Sequence, residues 1–368
     1  MIGADLTLIR RELLTAAVFF GMAATGWAAE PAGPARQFIP ASDGRFHYEG
    51  RFDLTDPSLP VVIWEGSRIS LDFEGELLFL RFESPVGQNY FNAEVDGTSV
   101  VVKAGDGSAQ VSDLLPSSAG RHHLELFKRS EAAAGQVKFA GVELAVGAQA
   151  WVPPAPVYKL RMEFLGDSIS AGACNEDGAM DQWDDRRTHN NALSYTTLTA
   201  GAFRADYRCT AVSGLGIATG WTDVKAGEIW DRIYPRASSA QADPKAWSPD
   251  VLLINLGEDD DSFARAHEQP FPAGYVPGCV ALVKAIRAAH PAVNIVLVRG
   301  GMYGGAQSAP LRTAWEEAVK QIEAGDARVS HFVFTHWSKT LPRVSDHQAM
   351  AEELTAWLKQ QSFMAPFL

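Results

Sequence analysis

The sequence predicts an α/β protein in which an all-β domain precedes a three-layer α/β/α domain. Short alternating apolar runs, separated by turn residues and without a helical period, fill residues 37–147. A proline-rich stretch at 151–156 separates them from a region in which predicted strands and helices alternate. There, residues 251–254 and 295–298 are continuous apolar runs, as expected for parallel strands that are buried on both faces. A β-sandwich or jelly roll followed by a doubly wound sheet is therefore expected.

Composition divides the chain into a leader, two domains and a linker. The predicted boundaries are 1–29 for a signal peptide, 30–150 for the β-sandwich, 151–156 for the linker and 157–368 for the α/β domain. The leader is predicted because Arg10 and Arg11 precede a short apolar core that ends in small residues. This core is shorter than the about 20 residues needed to span a bilayer, and a retained anchor is the alternative. We expect a secreted or periplasmic protein.

Charge and composition narrow the expected partners. The hydrophobic content of 46% and the charged content of 21% are typical of a globular protein. The net charge of −12 disfavours binding to nucleic acid and to anionic membranes. A neutral substrate is therefore expected, with no membrane contact after leader cleavage. No metal or cofactor motif is present, so no cofactor is expected. A Cys174–Cys209 disulfide and inert thiols both remain open, and the oligomeric state is unknown.

Loops that follow the predicted strands carry the residues suited to chemistry. Strands are predicted at 160–165, 207–212, 251–256, 294–298 and 331–334, and helices at 280–289, 311–322 and 347–358. Ser168 follows the first strand, Gly214 the second, the acidic run 258–261 the third, and His347 the last. The carboxyl ends of parallel strands meet at one edge of the sheet, where ligands bind. A serine at a helix N-terminus suits a nucleophile whose attack creates an oxyanion.

Five short motifs resemble those of a known family. Gly-Asp-Ser-Ile-Ser at 166–170, Val-Ser-Gly at 212–214 and Ile-Asn-Leu-Gly at 254–257 resemble the first three blocks of the SGNH (GDSL-type) esterases. The preceding all-β domain, with the segments 191–195 and 247–251, further resembles carbohydrate esterase family 2. The resemblance implies a jelly roll beside an SGNH domain that removes acetyl groups from polysaccharides such as xylan and glucomannan. It covers nearly the whole mature chain.

The resemblance assigns roles to three residues and exposes two departures. Ser168 would be the nucleophile, and the N–H groups of Ser168 and Gly214 would stabilise the oxyanion. Asp259 stands where the family has an asparagine donor, and a carboxyl group could donate there only if burial and acidic neighbours keep it protonated. Leu341 stands in the place of the catalytic histidine, and a leucine cannot accept a proton from serine. A replacement base is therefore required.

Two histidines are candidates for that base. His347 is the preferred candidate and His336 the other, although a histidine near a helix start is often a packing residue. The acidic run 258–261 is expected to form a solvated loop, since it lacks the spacing of a calcium loop. Aromatic side chains near the expected cleft that could stack on sugar rings are Trp183, Trp221 and Trp230.

The sequence supports two functional hypotheses. The first is an exported esterase that removes acetyl groups from plant polysaccharide through serine nucleophilic catalysis, with acetylated oligosaccharide or polysaccharide as its partner. The second is a carbohydrate-binding protein on an esterase scaffold that has lost its base and one oxyanion donor. The distance from Ser168 Oγ to a histidine nitrogen distinguishes the two.

Overall fold

A computed structural model describes residues 35–111 and 120–368. The predicted signal peptide, 1–29, lies outside the described residues. Residues Arg36–Leu368 form one compact unit that contains both the β-rich and the α/β region. The predicted division at 151–156 stays a prediction.

Two antiparallel sheets form the β-rich region. Its strands are β1 (Arg36–Pro40), β2 (His47–Glu49), β3 (Phe52–Asp53), β4 (Val61–Val62), β5 (Arg68–Glu74), β6 (Leu78–Gly87), β7 (Asn89–Val95), β8 (Thr98–Ala104), β9 (Gly107–Gln110), β10 (Arg121–Lys128), β11 (Gly135–Ala145) and β12 (Ala150–Trp151). One sheet has the order β3-β4-β11-β6-β9, with β1 also paired to β11. The other has the order β12-β5-β10-β7-β8, with β2 also paired to β5.

Alternation along each strand builds the sandwich core. Both sheets contribute to one apolar cluster, which includes Leu80 of β6 and Leu124 of β10, each fully buried. Asp96 and Gly97 join β7 to β8 with φ angles of 50° and 84°. Positive φ at both positions is what a two-residue hairpin of type I′ requires, and an Asp-Gly pair favours this conformation.

The α/β region contains five parallel strands. They are β13 (Arg161–Gly166), β14 (Asp206–Ala211), β15 (Val251–Asn255), β16 (Asn294–Met302) and β17 (Val329–Ser338). The helices are α1 (Ser168–Ala171), α2 (Tyr195–Ala202), α3 (Ala226–Ile229), α4 (Glu258–Ala266), α5 (Tyr275–Ala289), α6 (Tyr303–Gln307), α7 (Ala309–Glu323) and α8 (Val344–Leu358). The strand order is β14-β13-β15-β16-β17, a doubly wound arrangement whose ligands bind beyond the carboxyl ends of the strands. The predicted fold class is confirmed.

The sandwich and the α/β region share a buried interface. Arg51 Nη2 lies 2.7 Å from Glu163 Oε1 of β13, and both side chains are less than 10% exposed. Within the described residues, no helix is both long and apolar enough to cross a bilayer. Cys174, Cys209 and Cys279 are all free, so the alternative of a Cys174–Cys209 disulfide is not realised.

Candidate active site

Ser168 is the first residue of α1, directly after β13. Asp167 caps this short helix, because its side chain accepts a hydrogen bond from the N–H of Ile169 at 3.0 Å. Ser168 itself is 7% exposed and lines a pocket at the carboxyl edge of the parallel sheet. The serine therefore lies at the N-terminal end of a helix, where backbone N–H groups carry partial positive charge.

The loop after β14 places Gly214 beside the serine. Gly214 has φ of 87°, a conformation that favours glycine, and its carbonyl accepts a hydrogen bond from the N–H of Trp221 at 2.9 Å. Asp260 holds the rest of this loop, since its carboxylate accepts hydrogen bonds from three consecutive N–H groups. These belong to Ile217, Ala218 and Thr219, at 2.8–2.9 Å.

The acidic run after β15 is buried, which corrects the expectation of a solvated loop. Its four residues form the first turn of α4, and each is at most 9% exposed. Glu258 accepts hydrogen bonds from the N–H groups of Gly304 and Gly305, and Asp261 pairs with Arg265 at 2.6 Å. Carboxylates at a helix N-terminus also interact favourably with the helix dipole. The run therefore organises the edge of the sheet.

These loops enclose a pocket with a volume of about 550 Å³. The residues that line it are Ser168, Asp181, Trp183, Arg186, Ser213, Gly214, Trp221, Glu258, Asp259, Ser262, Met302 and Leu341. The structure thus brings together Ser168, Gly214 and Asp259, as predicted, and places Leu341 on the same wall. A smaller cavity of about 150 Å³ lies elsewhere, against Arg51 and Glu163. The larger pocket contains the residues suited to catalysis.

Asp259 has an unusual electrostatic environment. Burial, together with the neighbouring Asp167, raises the pKa of Asp259 well above its ordinary value. Burial and the charges of nearby acidic side chains also raise the pKa of Asp167 to about 8. Asp259 Oδ2 is buried and has no hydrogen-bond partner among the described residues, and the nearby N–H of Gly214 offsets the raised pKa only in part. A neutral carboxyl group at this place is able to donate a hydrogen bond.

The structure does not bring His347 into the pocket, contrary to expectation. His347 lies in α8 and is fully buried. Its Nδ1 accepts a hydrogen bond from the N–H of Tyr195 at 3.2 Å, and its ring stacks on that tyrosine at 6.2 Å between centroids. Burial lowers the pKa of His347 to about 3, which keeps the ring neutral. His347 therefore packs in the core and does not contact Ser168.

His336 also lies outside the pocket. Its ring atom Nε2 is 2.8 Å from Asp346 Oδ1, and its backbone N–H donates a hydrogen bond to Glu353 Oε1 at 3.1 Å. All nine histidines of the chain fall within the described residues, and none of them lines the pocket or hydrogen-bonds to Ser168. Leu341, 2% exposed, packs on Cys174 at the wall where the family resemblance expects the base. Among the described residues, the pocket therefore contains a serine hydroxyl and no imidazole.

Two of the three predicted tryptophans flank the pocket. Trp183 is 40% exposed and Trp221 is 53% exposed. Trp221 is held in place, because its Nε1 donates to Ser262 Oγ at 2.9 Å and its ring packs edge-on against Phe263. Trp230 is 8% exposed and belongs to the core, so the expectation for it was wrong. Two exposed indole rings that line one pocket suit contact with a sugar ring.

Sequence reasoning missed several residues of this site. Asp181 and Arg186 come from the long connection between α1 and α2, where no periodicity singles them out. Cys174, Asp177 and Asp181 place potential metal-ligand atoms within 4.8 Å of one another. Arg343 Nη2, however, lies 2.8 Å from Asp181 Oδ1, so a cationic side chain already neutralises this group.

Sequence comparison relates the chain to carbohydrate esterases. Residues 48–154 match the family model described as carbohydrate esterase 2 N-terminal. The chain is 31% identical over 326 residues to the cellulase/esterase CelE of Acetivibrio thermocellus, which covers 85% of this chain but only 39% of that protein. It is 27% identical over 341 residues to an acetylxylan esterase/glucomannan deacetylase of Cellvibrio japonicus, covering 86% of this chain and 91% of that protein.

Structural comparison agrees. A family two carbohydrate esterase from Clostridium thermocellum, in complex with cellohexaose, has a TM-score of 0.77 and 28% identity, covering 88% of this chain and all of that chain. A family two carbohydrate esterase from Cellvibrio japonicus shares the fold with a TM-score of 0.79 and 23% identity. The match covers 91% of this chain and 99% of that chain. This protein therefore has the jelly-roll and SGNH-type architecture. Its homologues are carbohydrate esterases of family 2, and the resemblance seen in the sequence is confirmed.

Proposed function

We propose that this chain is an esterase that removes O-acetyl groups from plant polysaccharides such as xylan or glucomannan, and that it does so slowly. The observation that carries this proposal is the position of Ser168, at the start of α1 beside Gly214 and within a pocket flanked by Trp183 and Trp221. The acetylxylan esterase among its relatives supports the substrate class.

The chemistry follows from the residues that line the pocket. Ser168 Oγ attacks the acetyl carbonyl carbon, and the resulting oxyanion lies near the N–H groups of Ser168 and Gly214. The sugar oxygen leaves with a proton that water relays from the serine hydroxyl, and a second water then releases acetate. General-base catalysis by a positioned side chain contributes about 10²–10⁴-fold, which is the factor this pocket lacks. Binding and oxyanion stabilisation remain.

A second candidate is a carbohydrate-binding protein without turnover. The position of Leu341 favours it, because an apolar side chain occupies the wall of the pocket where the base is expected. Asp259 also lines this pocket, and a carboxyl group there can form hydrogen bonds with sugar hydroxyls without turnover.

Hydrolysis of 4-nitrophenyl acetate and acetylated xylan tests the proposal. We expect the wild-type chain to exceed Ser168→Ala, and Leu341→His to raise kcat by about 10²-fold by supplying a base. The matched control is Leu341→Asn, which adds a polar group without a base and gives no such gain. The double variant Ser168→Ala with Leu341→His should also show none.

Binding measurements separate the two candidates. If the wild-type rate equals that of Ser168→Ala while calorimetry shows binding of acetylated xylan, the protein is a binder and the esterase proposal is wrong. Export is part of the proposal, since such polysaccharides lie outside the cell, and the leader predicted at 1–29 supports it.

A further inference from the structure

A buried carboxylate of the β-sandwich contacts the wall of the pocket. Glu131 lies just after β10, is 1% exposed and does not itself line the pocket. One carboxylate oxygen, Oε2, accepts a hydrogen bond from the N–H of Ser213 at 2.8 Å. The other, Oε1, accepts one from the hydroxyl of Ser213 at 2.8 Å and one from Arg186 Nη1 at 3.1 Å. Both of these partners line the pocket.

The contacts of Glu131 fix the residues next to the reacting atoms. Ser213 directly precedes Gly214, so a carboxylate that holds both the N–H and the hydroxyl of Ser213 also restrains the backbone that leads into Gly214. Arg186 lies 5.7 Å from the centre of the Trp183 ring and supports this wall of the pocket. His189, fully buried, places Nδ1 3.6 Å from Glu131 Oε1.

Glu131 is ionised in this environment. Burial alone raises its pKa, but the hydrogen bond and charge of His189, together with Arg186 and the N–H of Ser213, outweigh burial and hold the pKa of Glu131 below its usual value. Charge-assisted hydrogen bonds of this kind are stronger than neutral ones.

A second carboxylate of the sandwich, that of Glu65, contacts the end of β14, directly before the loop that contains Ser213. Glu65, 1% exposed, accepts a hydrogen bond from the N–H of Ala211, the last residue of β14, at 2.9 Å. Its other oxygen accepts one from the N–H of Ala132 at 3.0 Å. Lys128 Nζ donates to the carbonyl of Ser130 at 2.9 Å. The segment 128–132 is therefore itself held rigidly.

We propose that Glu131 is a positioning residue through which the β-sandwich holds Ser213, the residue before Gly214, and the Arg186 wall in place for acyl transfer. The proposal rests on the proposed esterase function for its consequence, but the contact can be tested without it. In this proposal the β-sandwich helps to build the site, because a catalytic loop needs supporting groups that hold its geometry.

The test uses the whole mature chain and two independent measurements. Amide hydrogen exchange of residues 211–216 reports the contact directly, and kcat and KM for 4-nitrophenyl acetate report its consequence. In Glu131→Ala we expect exchange at these amides to rise by roughly tenfold or more, because a charged hydrogen-bond acceptor is lost. We also expect kcat to fall by about tenfold with a smaller change in KM.

Two further variants make the test specific. Glu131→Gln keeps an acceptor for Ser213 and should recover part of both losses, which also keeps the test valid if Glu131→Ala does not fold. Glu143→Gln, a sandwich carboxylate paired with Arg36 and Arg81, is the control and should match the wild type.

The outcomes separate the two proposals. Unchanged exchange at 211–216 in a folded Glu131→Ala variant would overturn the positioning role, as would a Glu131→Gln variant no better than Glu131→Ala. A wild-type chain without Ser168-dependent hydrolysis would overturn the esterase function, while the exchange measurement would still decide whether Glu131 holds the loop.

Discussion

At the scale of single residues, the pocket keeps the serine that the family resemblance assigns as nucleophile but changes its surroundings. Ser168 and Gly214 line the pocket together, whereas Leu341 and Asp259 stand where the resemblance expects a base and an amide donor. Trp221 is fixed by Ser262 and Phe263, and 53% of it is exposed where it lines the pocket. The proposed sugar-binding role of Trp221 and the proposed catalytic role of Ser168 can therefore be tested separately.

Recognition should depend on Trp221. Truncation of a well-packed aromatic anchor often costs about 2 kcal/mol or more, so Trp221→Ala should weaken binding of acetylated xylo-oligosaccharide at least about tenfold in calorimetry. Trp151→Ala, at a tryptophan of the sandwich that does not line the pocket, is the control and should bind like the wild type. Equal affinity of the two variants would place the glycan elsewhere.

Asp259 should make stability depend on pH. In the folded state its pKa is higher than the pKa of about 4 that an aspartate has in an unfolded chain. As the pH rises above about 4, the unfolded chain therefore loses this proton first, and the free energy of unfolding falls. The slope is at most about 1.4 kcal/mol per pH unit. Asp259→Asn removes this group, so its melting temperature relative to wild type should increase from pH 4.5 to pH 8. The exposed Asp223→Asn is the control, and a constant difference for Asp259→Asn would contradict the burial effect.

At the scale of elements, the strand-to-helix junctions set the positions of the site residues. Gly257 joins β15 to α4 with φ of 129°, which favours glycine. A Cβ there would lie 2.7 Å from Leu311 Cδ1 and 2.8 Å from the hydroxyl of Tyr275. This junction therefore determines where Asp259 enters the pocket.

Replacement of Gly257 should show the cost of disturbing that junction. Gly257→Ala combines backbone strain with a close contact, and we expect it to reduce the free energy of unfolding by about 2 kcal/mol. Gly227→Ala in α3 is the matched control, since a Cβ there meets nothing within 4 Å. Urea denaturation measures both, and an unchanged midpoint for Gly257→Ala would show that the junction relaxes without cost.

At the scale of the whole molecule, the sandwich and the α/β region pack against each other. Arg51 of the sandwich donates to the carbonyls of Trp230 and Arg232, at 3.1 and 3.0 Å, in addition to its ion pair with Glu163. Glu131 and Glu65 extend this interface to the loop after β14. The two regions are therefore expected to unfold together.

Loss of the Arg51 ion pair should destabilise the entire chain. Arg51→Ala leaves Glu163 buried without its partner, which typically costs about 3–5 kcal/mol. Arg36→Ala, at an ion pair whose arginine is 37% exposed, should cost no more than about 1 kcal/mol. Urea unfolding followed by tryptophan fluorescence and circular dichroism should show one transition that shifts as a whole. Two transitions, with only one displaced, would mean independent domains.

Local patterns in the sequence were enough for the fold and for the position of Ser168. The continuous apolar strands predicted the parallel sheet, and the place of Ser168 after the first of these strands predicted that it lies at the edge of the sheet where the pocket forms. Such features depend on neighbours within a few residues, because hydrophobic periodicity and backbone conformation are local properties.

Only the tertiary structure decided which residues meet at the site. It placed His347 in the core against Tyr195, buried the acidic run of α4, and brought Glu131 from the sandwich to Ser213. None of these outcomes follows from spacing, because each depends on contacts between residues more than 40 positions apart. The sequence by itself determined the scaffold and the position of Ser168 in it, whereas long-range packing determined which side chains line the pocket and which are buried behind it.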